Sequence, residues 1–311
     1  MLLGSKTFSL APYMEISLMK RTLSHYWCVG IDLHKDTLTV CLFCRCCGEV
    51  VYRKIPCKCR NQIVEFFAGL PKPHTVAIEA VGFYRWLWEM LEPIVEKLVL
   101  ADATQARALA GRRLKTDRED AFNIAELLAA GRLPLSYAPP MEIQLLRDVT
   151  RHRNGFSRQH ARVLCRVKSI MNANNRPGPA RLQSEGLIRY LKAQGPKLPQ
   201  RHVAMLWNCV DQLALTERQI AEAERTIKEV VEQEVFAGVY SILTSFPGVA
   251  MVTAATIIGE VGDFTRFTYR KSIARFAGLN PTVYASGGKQ KIGHIAKTGS
   301  PHLRWILQQA A

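Results

Sequence analysis

Five side chains in this sequence are of the kinds that cut and join phosphodiesters. Asp32 closes the apolar run W-C-V-G-I-D, and Glu79 closes a second one, T-V-A-I-E. Asp117 and Asp120 stand three apart in K-T-D-R-E-D, just before the apolar-periodic A-F-N-I-A-E-L-L. That spacing puts both on one side of the first turn of a helix. Four carboxylates drawn to one spot repel each other, and divalent cations neutralise them naturally. Mg²⁺ (or Mn²⁺) suits an all-oxygen site, and two ions about 4 Å apart can hold both sides of a phosphodiester in a displacement. Each acid also has a plainer use: Asp117 can complement a helix dipole, and Asp32 can cap a turn. The fifth residue, Ser286, precedes a Gly-Gly pair in V-Y-A-S-G-G-K-Q-K. A serine becomes a covalent nucleophile when its proton is removed or the developing charge is neutralised. Ser286-Gly287-Gly288 reads equally well as a turn between two short strands.

The elements that must hold these residues are legible from hydrophobic periodicity. From Tyr26 the sequence predicts a strand ending at Asp32, a turn over His34 to Asp36, a second strand over Leu38 to Cys44 and a third over Val50 to Ile55. Helical spacing follows over Asn61 to Leu70 and Phe83 to Glu92, with strands expected over His74 to Ala80 and Lys97 to Ala101. Three antiparallel strands followed by αβαβα is the order of a ribonuclease-H-like fold. If its first and fourth strands adjoin, Asp32, Glu79, Asp117 and Asp120 converge.

Beyond Ala138-Pro139-Pro140 the pattern becomes long helices. Leu145, Val149, Phe156, Val163, Val167 and Ile170 form a coiled-coil-like seam. The same stretch carries Arg147, Arg151, Arg153, Arg158, Arg162, Arg166 and Lys168 against one acid, Asp148. A solvated face normally mixes both signs, so this one is expected to lie along nucleic acid, together with Arg112, Arg113 and Lys115 ahead of Asp117. A second helix over His202 to Glu234 reads as the antiparallel partner of the seam or as a dimer contact. From Phe236 a helix, a Pro-Gly turn and a helix suggest a helix-hairpin-helix that holds phosphate. Ala250 stands where its second glycine would be, so a packing hairpin is the competing reading. After Asp263 no acid occurs, while Lys289, Lys291, Lys297 and Arg304 surround the serine segment.

The whole chain agrees with that basic bias. With 42 Lys plus Arg against 26 Asp plus Glu, its formal charge is +16, which calls for a polyanionic partner. Its 311 residues, 48% of them hydrophobic, suffice for more than one core. No apolar run is long enough to span a bilayer, and no secretory signal precedes Tyr26, so no membrane role and a cytoplasmic location are expected. Residues 1–25 read as a poorly ordered leader, with Met14 or Met19 as alternative starts. Nine cysteines, most between Cys28 and Cys59, lack a repeated C-x-x-C spacing. Reduced thiols in or beside a sheet are expected there rather than zinc at Cys41–Cys59.

Taken together, G-I-D-L-H-K-D, V-A-I-E-A, K-T-D-R-E-D, F-P-G-V-x5-A, F-A-G-L-N-P and S-G-G-K-x3-G-x-I-x-K-x-G-x3-L-R resemble the "one-ten" group of insertion-sequence transposases. The resemblance covers about residues 26–311. It implies a RuvC-like domain over 26–135, a helical coiled-coil-like region over 140–235 and a mostly helical serine transposase domain over 236–311. In the family, Asp32, Glu79, Asp117 and Asp120 would be the DEDD metal site and Ser286 the residue that attacks DNA. The two parts would join across protomers of a dimer or tetramer, and a structured noncoding RNA would guide donor and target DNA. Relatives usually continue past the L-R with further helical residues. Two other functions fit the same residues: a metal-dependent nuclease or junction resolvase in which water attacks, and a transposase remnant that binds nucleic acid without reacting.

Overall fold

The structure, a computed structural model, describes residues 26–110, 116–178, 183–286 and 289–310. Contacts divide the chain after Ala138 into two compact units.

The first unit is built on β1 (Trp27–Leu33), β2 (Thr37–Cys44), β3 (Val50–Pro56), α1 (Arg60–Ala68), β4 (His74–Glu79), α2 (Arg85–Leu91), β5 (Leu98–Ala101), α3 (Ala103–Ala110), α4 (Asp117–Ala129) and β6 (Leu135–Ser136). The strands form one six-stranded sheet in the order β3-β2-β1-β4-β5-β6. β1 runs antiparallel to β2 and parallel to β4, so the first and fourth strands do adjoin. This mixed α/β layer is compatible with the ribonuclease-H-like order. Two elements escape the sequence pattern: β6 is too short to show a period, and the alanine-rich α3 has no apolar stripe.

Alternation along the strands gives the sheet two unlike faces. One carries the large side chains Val29, Ile31, Leu38, Val40, Val76 and Ile78, which close a core with Ile63 and Phe67 of α1 and Leu87 and Leu91 of α2. Burying each of them contributes roughly 1.5–3 kcal/mol. The other face is made of small residues, with Cys41 against Ala121 and Ala125, and Ala77 and Ala101 against Ile124. Small residues let α4 lie close to the strands. Gly30 is the extreme case, because a Cβ there would overlap the carbonyl oxygen of Ala121 and the amide nitrogen of Ala125. α4 opens with a capping box: the Thr116 hydroxyl accepts the Glu119 amide at 3.2 Å, and acids fill the first turn.

The second unit contains α5 (Met141–Ala173), α6 (Ser184–Gln194), α7 (Gln200–Val231), α8 (Glu234–Thr244), α9 (Met251–Val261), α10 (Arg270–Phe276), the hairpin strands β7 (Pro281–Ser286) and β8 (Lys289–Ile295), and α11 (Pro301–Ala310). α5 and α7 are antiparallel partners within one chain. Val163, Val167 and Ile170 meet Leu206, Val210 and Leu213 at one end, and Leu146 meets Ile227, Val230 and Val231 at the other. The seam differs from the sequence reading in its first half. Leu145 is exposed, while Leu146, Thr150 and Asn154 are buried. α9 packs on this half of α5, with Gly259 backed against Leu146 and Arg147. The buried polar residues there are satisfied, since Thr150 donates to the Leu146 carbonyl at 2.8 Å and Asn154 meets His302 at 2.9 Å. A search for apolar residues alone therefore picks the wrong stripe. The helix, Pro-Gly turn and helix of the sequence reading are α8, a turn with Gly248 at φ 84, and α9.

Two glycines separate packing from propensity. Gly30→Ala should destabilise the protein by about 1–3 kcal/mol or more, because the backbone of α4 cannot yield as a side chain would. Gly155, exposed within α5, has nothing within 4 Å of a Cβ, so Gly155→Ala should stabilise by about 0.5–1 kcal/mol. Thermal or urea unfolding of the two variants reads both signs.

Candidate active site

Asp32 lies two residues beyond Gly30 and Glu79 two beyond Ala77, so both point from the sheet face covered by α4. Both are buried, at 3% and 7% exposure. Asp32 and Glu79 are hydrogen-bonded to each other, and Asp120 on α4 adds a third negative charge. Glu79 and Asp120 line one small cleft with Arg107 and Asn123, and Arg107 Nη2 reaches Glu79 Oε1 at 3.3 Å. Asp117 joins from the other side through His34. The histidine Nε2 is 3.0 Å from Asp32 Oδ2 and 3.5 Å from Asp117 Oδ1. Ligand atoms of Asp32, His34 and Asp117 all lie within 4.8 Å of each other. The structure thus brings the four carboxylates into one row. His34 and Lys54, which the sequence reading passed over, belong to it, with Lys54 Nζ bonding Asp117 Oδ2 at 3.0 Å. The D-x-H spacing was the available signal for His34, since residues two apart at the end of a strand share a side.

Like charges in a dry place set the electrostatics. Burial pushes the Asp32 carboxyl up to about 7; Glu79 and Asp120 push the same way, against the pull of His34. Asp117 is held below its usual value, first by the Lys54 hydrogen bond. His34 is close enough to Asp32 for an ion pair but not aligned to donate to it, and Asp32 Oδ2 is left buried without a hydrogen-bond donor. A buried acceptor of this kind, on a carboxyl crowded by two further acids, fits a divalent cation.

The basic residues divide into two sets. Arg151 is committed to Glu260, a 2%-exposed carboxylate, by two parallel bonds of 2.7 and 2.9 Å. Burial works to raise the Glu260 carboxyl, but Arg151 and the Ser300 hydroxyl outweigh it and hold it low. Arg147 donates to the Gly259 carbonyl at 2.8 Å, Arg153 to Glu224 at 2.6 Å, Arg166 to Gln212 at 3.3 Å and Arg304 to the Ala277 carbonyl at 3.0 Å. For these the expectation of a single nucleic-acid face is corrected, because their guanidinium groups bind the unit itself. Arg158, Arg162, Lys168, Lys291 and Lys297 are exposed. Ser286 closes β7 opposite Lys289, and the side chains of 285–290 lie outside the described residues, as do Arg112, Arg113 and Lys115. Among the described residues no helix is long and apolar enough to cross a membrane.

Two outcomes check these assignments. Asp32 has a folded pKa raised above its unfolded value, so in metal-free protein it holds more protons folded than unfolded between about pH 4 and 7. Its contribution to stability is therefore lost as pH rises through that window. Wild type should lose stability relative to Asp32→Asn between pH 4 and 7, and Mg²⁺ should restore it to wild type only, as read by thermal unfolding with and without chelator. Arg151→Ala leaves Glu260 buried without its partner and should cost about 3 kcal/mol, whereas Arg162→Ala should leave unfolding unchanged.

The chain is similar to known transposases. A family model described as "Transposase", for DEDD transposases, matches residues 29–174 and so takes in all four carboxylates. A second, described as "Transposase IS116/IS110/IS902 family", matches residues 240–311 and takes in Ser286. A probable family 20 transposase of Pseudomonas aeruginosa is 28% identical over 292 residues, covering 91% of this chain and 82% of that protein. The transposase for insertion sequence element IS1111A of Coxiella burnetii is 26% identical over 309 residues, 96% of this chain and 81% of its own. The transposase for element IS1328 of Yersinia enterocolitica is 24% identical over 290 residues, with 91% and 82% covered. With one match falling on the acidic sheet unit and the other on the serine-bearing end, the chain belongs to the IS110/IS116 family of insertion-sequence transposases.

Proposed function

We propose that this transposase exchanges DNA strands through a serine–DNA ester formed beside a divalent-cation site. The observation that carries the reading is the buried, donor-less Oδ2 of Asp32 crowded by Glu79 and Asp120. Asp32, Glu79, Asp117 and Asp120 are the ligands of Mg²⁺ or Mn²⁺, in a RuvC-like domain over 26–135. When bound, the cation neutralises charge on the reacting phosphodiester. His34 holds Asp32 and Asp117 on either side of itself, and Lys54 and Arg107 temper the two ends of the acidic row.

Ser286 Oγ attacks phosphorus, forming a serine phosphoester as the bond to the 3′ oxygen breaks. The leaving oxygen takes up a proton equivalent to the one the serine loses. Lys289 or Lys291 stabilises the charge that develops on the phosphate. Attack by a new 3′ hydroxyl reverses the step and frees the serine, so one ester replaces another and no ATP is required. The acidic site and the serine domain over 236–311 meet across protomers of a dimer or tetramer. A structured noncoding RNA directs donor and target DNA, held in the helical region over 140–235 through its backbone and shape. The exposed Arg158, Arg162 and Lys168 of α5 support that role.

Ser286→Ala should abolish strand exchange and any denaturant-resistant protein–DNA adduct while nucleic-acid binding survives. Exchange retained in this variant removes the serine from the mechanism. Free 5′ phosphate ends with no adduct in the wild type would instead point to attack by water.

A further inference from the structure

Beside the acidic row, the edge of the sheet carries a second feature that the chemistry does not use. Cross-strand pairing lines up Asp32, Thr39 and Lys54 over β1, β2 and β3, and in the next row Gly30, Cys41 and Tyr52. All lie on the face covered by α4, but α4 begins only at Asp117, and among the described residues none covers the β3 end. The result is a groove of about 540 Å³ lined by Thr39, Tyr52, Arg53, Lys54, Thr116 and Arg118, together with Asp117 at its boundary with the acids. That volume falls in the range of about 300–1,000 Å³ typical of small-ligand sites.

Its lining is of one chemical kind. Tyr52 turns its hydroxyl toward the Cys41 thiol, so the ring stands along the wall, 38% exposed, with the Arg118 guanidinium 5.6 Å from its centroid. Lys54 supplies a cation. In the floor, Thr39 is only 3% exposed, and its Oγ1 has no hydrogen-bond partner among the described residues. A buried hydroxyl without a partner is destabilising unless something in the groove completes it. An aromatic ring, an arginine plane, a lysine cation and an unsatisfied hydroxyl together match a nucleotide, whose base stacks on the ring while its phosphate meets the cation. A simple dicarboxylate would leave the aromatic ring unused.

We propose that this groove seats a nucleotide of a single strand, the one next to the phosphate held at the acidic row. Its base stacks on Tyr52 beside Arg118, its backbone lies on Lys54, and the Thr39 hydroxyl meets a polar group of the same nucleotide. The adjacency to the reacting phosphate rests on the function proposed above; the groove's affinity for a nucleotide does not. Lys54 is shared, since its bond to Asp117 places it where the groove ends and the acids begin.

The test uses the full chain in chelator, so that no strand is cut, with five-nucleotide DNA and RNA strands carrying one 5-iodouracil. Irradiation should cross-link the base to Tyr52 in β3, and Tyr52→Ala should remove that cross-link and weaken binding about tenfold. Tyr52→Phe keeps the ring and should retain both. Cross-linking with DNA alone, or with RNA alone, identifies the strand that uses the site, and either result supports it. Cross-links found only elsewhere, with Tyr52→Ala binding as tightly as wild type, overturn the proposal. Asp32→Asn separates the two readings: strand exchange surviving that change sinks the acidic site but leaves a Tyr52 cross-link standing. Loss of exchange in Asp32→Asn without a Tyr52 cross-link sinks the groove alone.

Discussion

The burial of the Asp32 carboxylate beneath the first turn of α4 is the constraint on which the first unit depends. A carboxylate removed from water needs an opposite charge or donors, and here its neighbours Glu79 and Asp120 carry the same sign. The sheet face makes that crowding unavoidable. Gly30, Cys41, Ala77 and Ala101 are small so that α4 can lie against the strands, and the closeness that packs the helix also presses its acids onto the strand ends. His34, Lys54 and Arg107 relieve the ends of the row, yet an oxygen at its centre still lacks a donor. Such a group, buried among acids, has the chemistry that a divalent cation would complete.

Glu260 in the second unit shows the other solution to the same problem. It is as deeply buried as Asp32, but Arg151 meets it with both guanidinium nitrogens and Ser300 adds a third bond. Its charge is completed by the protein, and its carboxyl is pulled down rather than up. The contrast explains why two buried acids of one chain have unlike roles. One ties α9 to α5 and to the start of α11, and the other keeps an oxygen to which no described residue donates. It also shows why a count of arginines overstates a binding face: α5 spends several of its cations on holding its own neighbours.

Much of the strand-and-helix order was legible, because the two sheet faces, one large and one small, leave regular alternation in β1, β2 and β4. The alignment of Asp32 and Glu79 at strand ends, and of Asp117 and Asp120 one turn apart, follows from the same periodicities. The α5 seam was misread where Thr150 and Asn154 are buried, since their burial depends on partners, Leu146 and His302, of which one lies 148 residues away in sequence. His34 was passed over because a histidine in a turn is ordinary until two carboxylates are found beside it. Thr39 and Tyr52 gave no signal at all: both are common strand residues, and only pairing across β2 and β3 places them in one groove.

By itself, the sequence determined the kinds of groups available and their local facing: acids at strand ends, small residues on one face, a basic excess, and a serine before two glycines. These depend on periodicity and composition, which are local properties of the chain. The tertiary structure alone decided which charges are dry and which are wet, which arginines are already paired, and that no described residue covers the β3 edge next to the acids. Those outcomes depend on how closely distant segments approach, and the energy of a charge or an unmet hydroxyl is set by that surrounding, not by its neighbours in sequence.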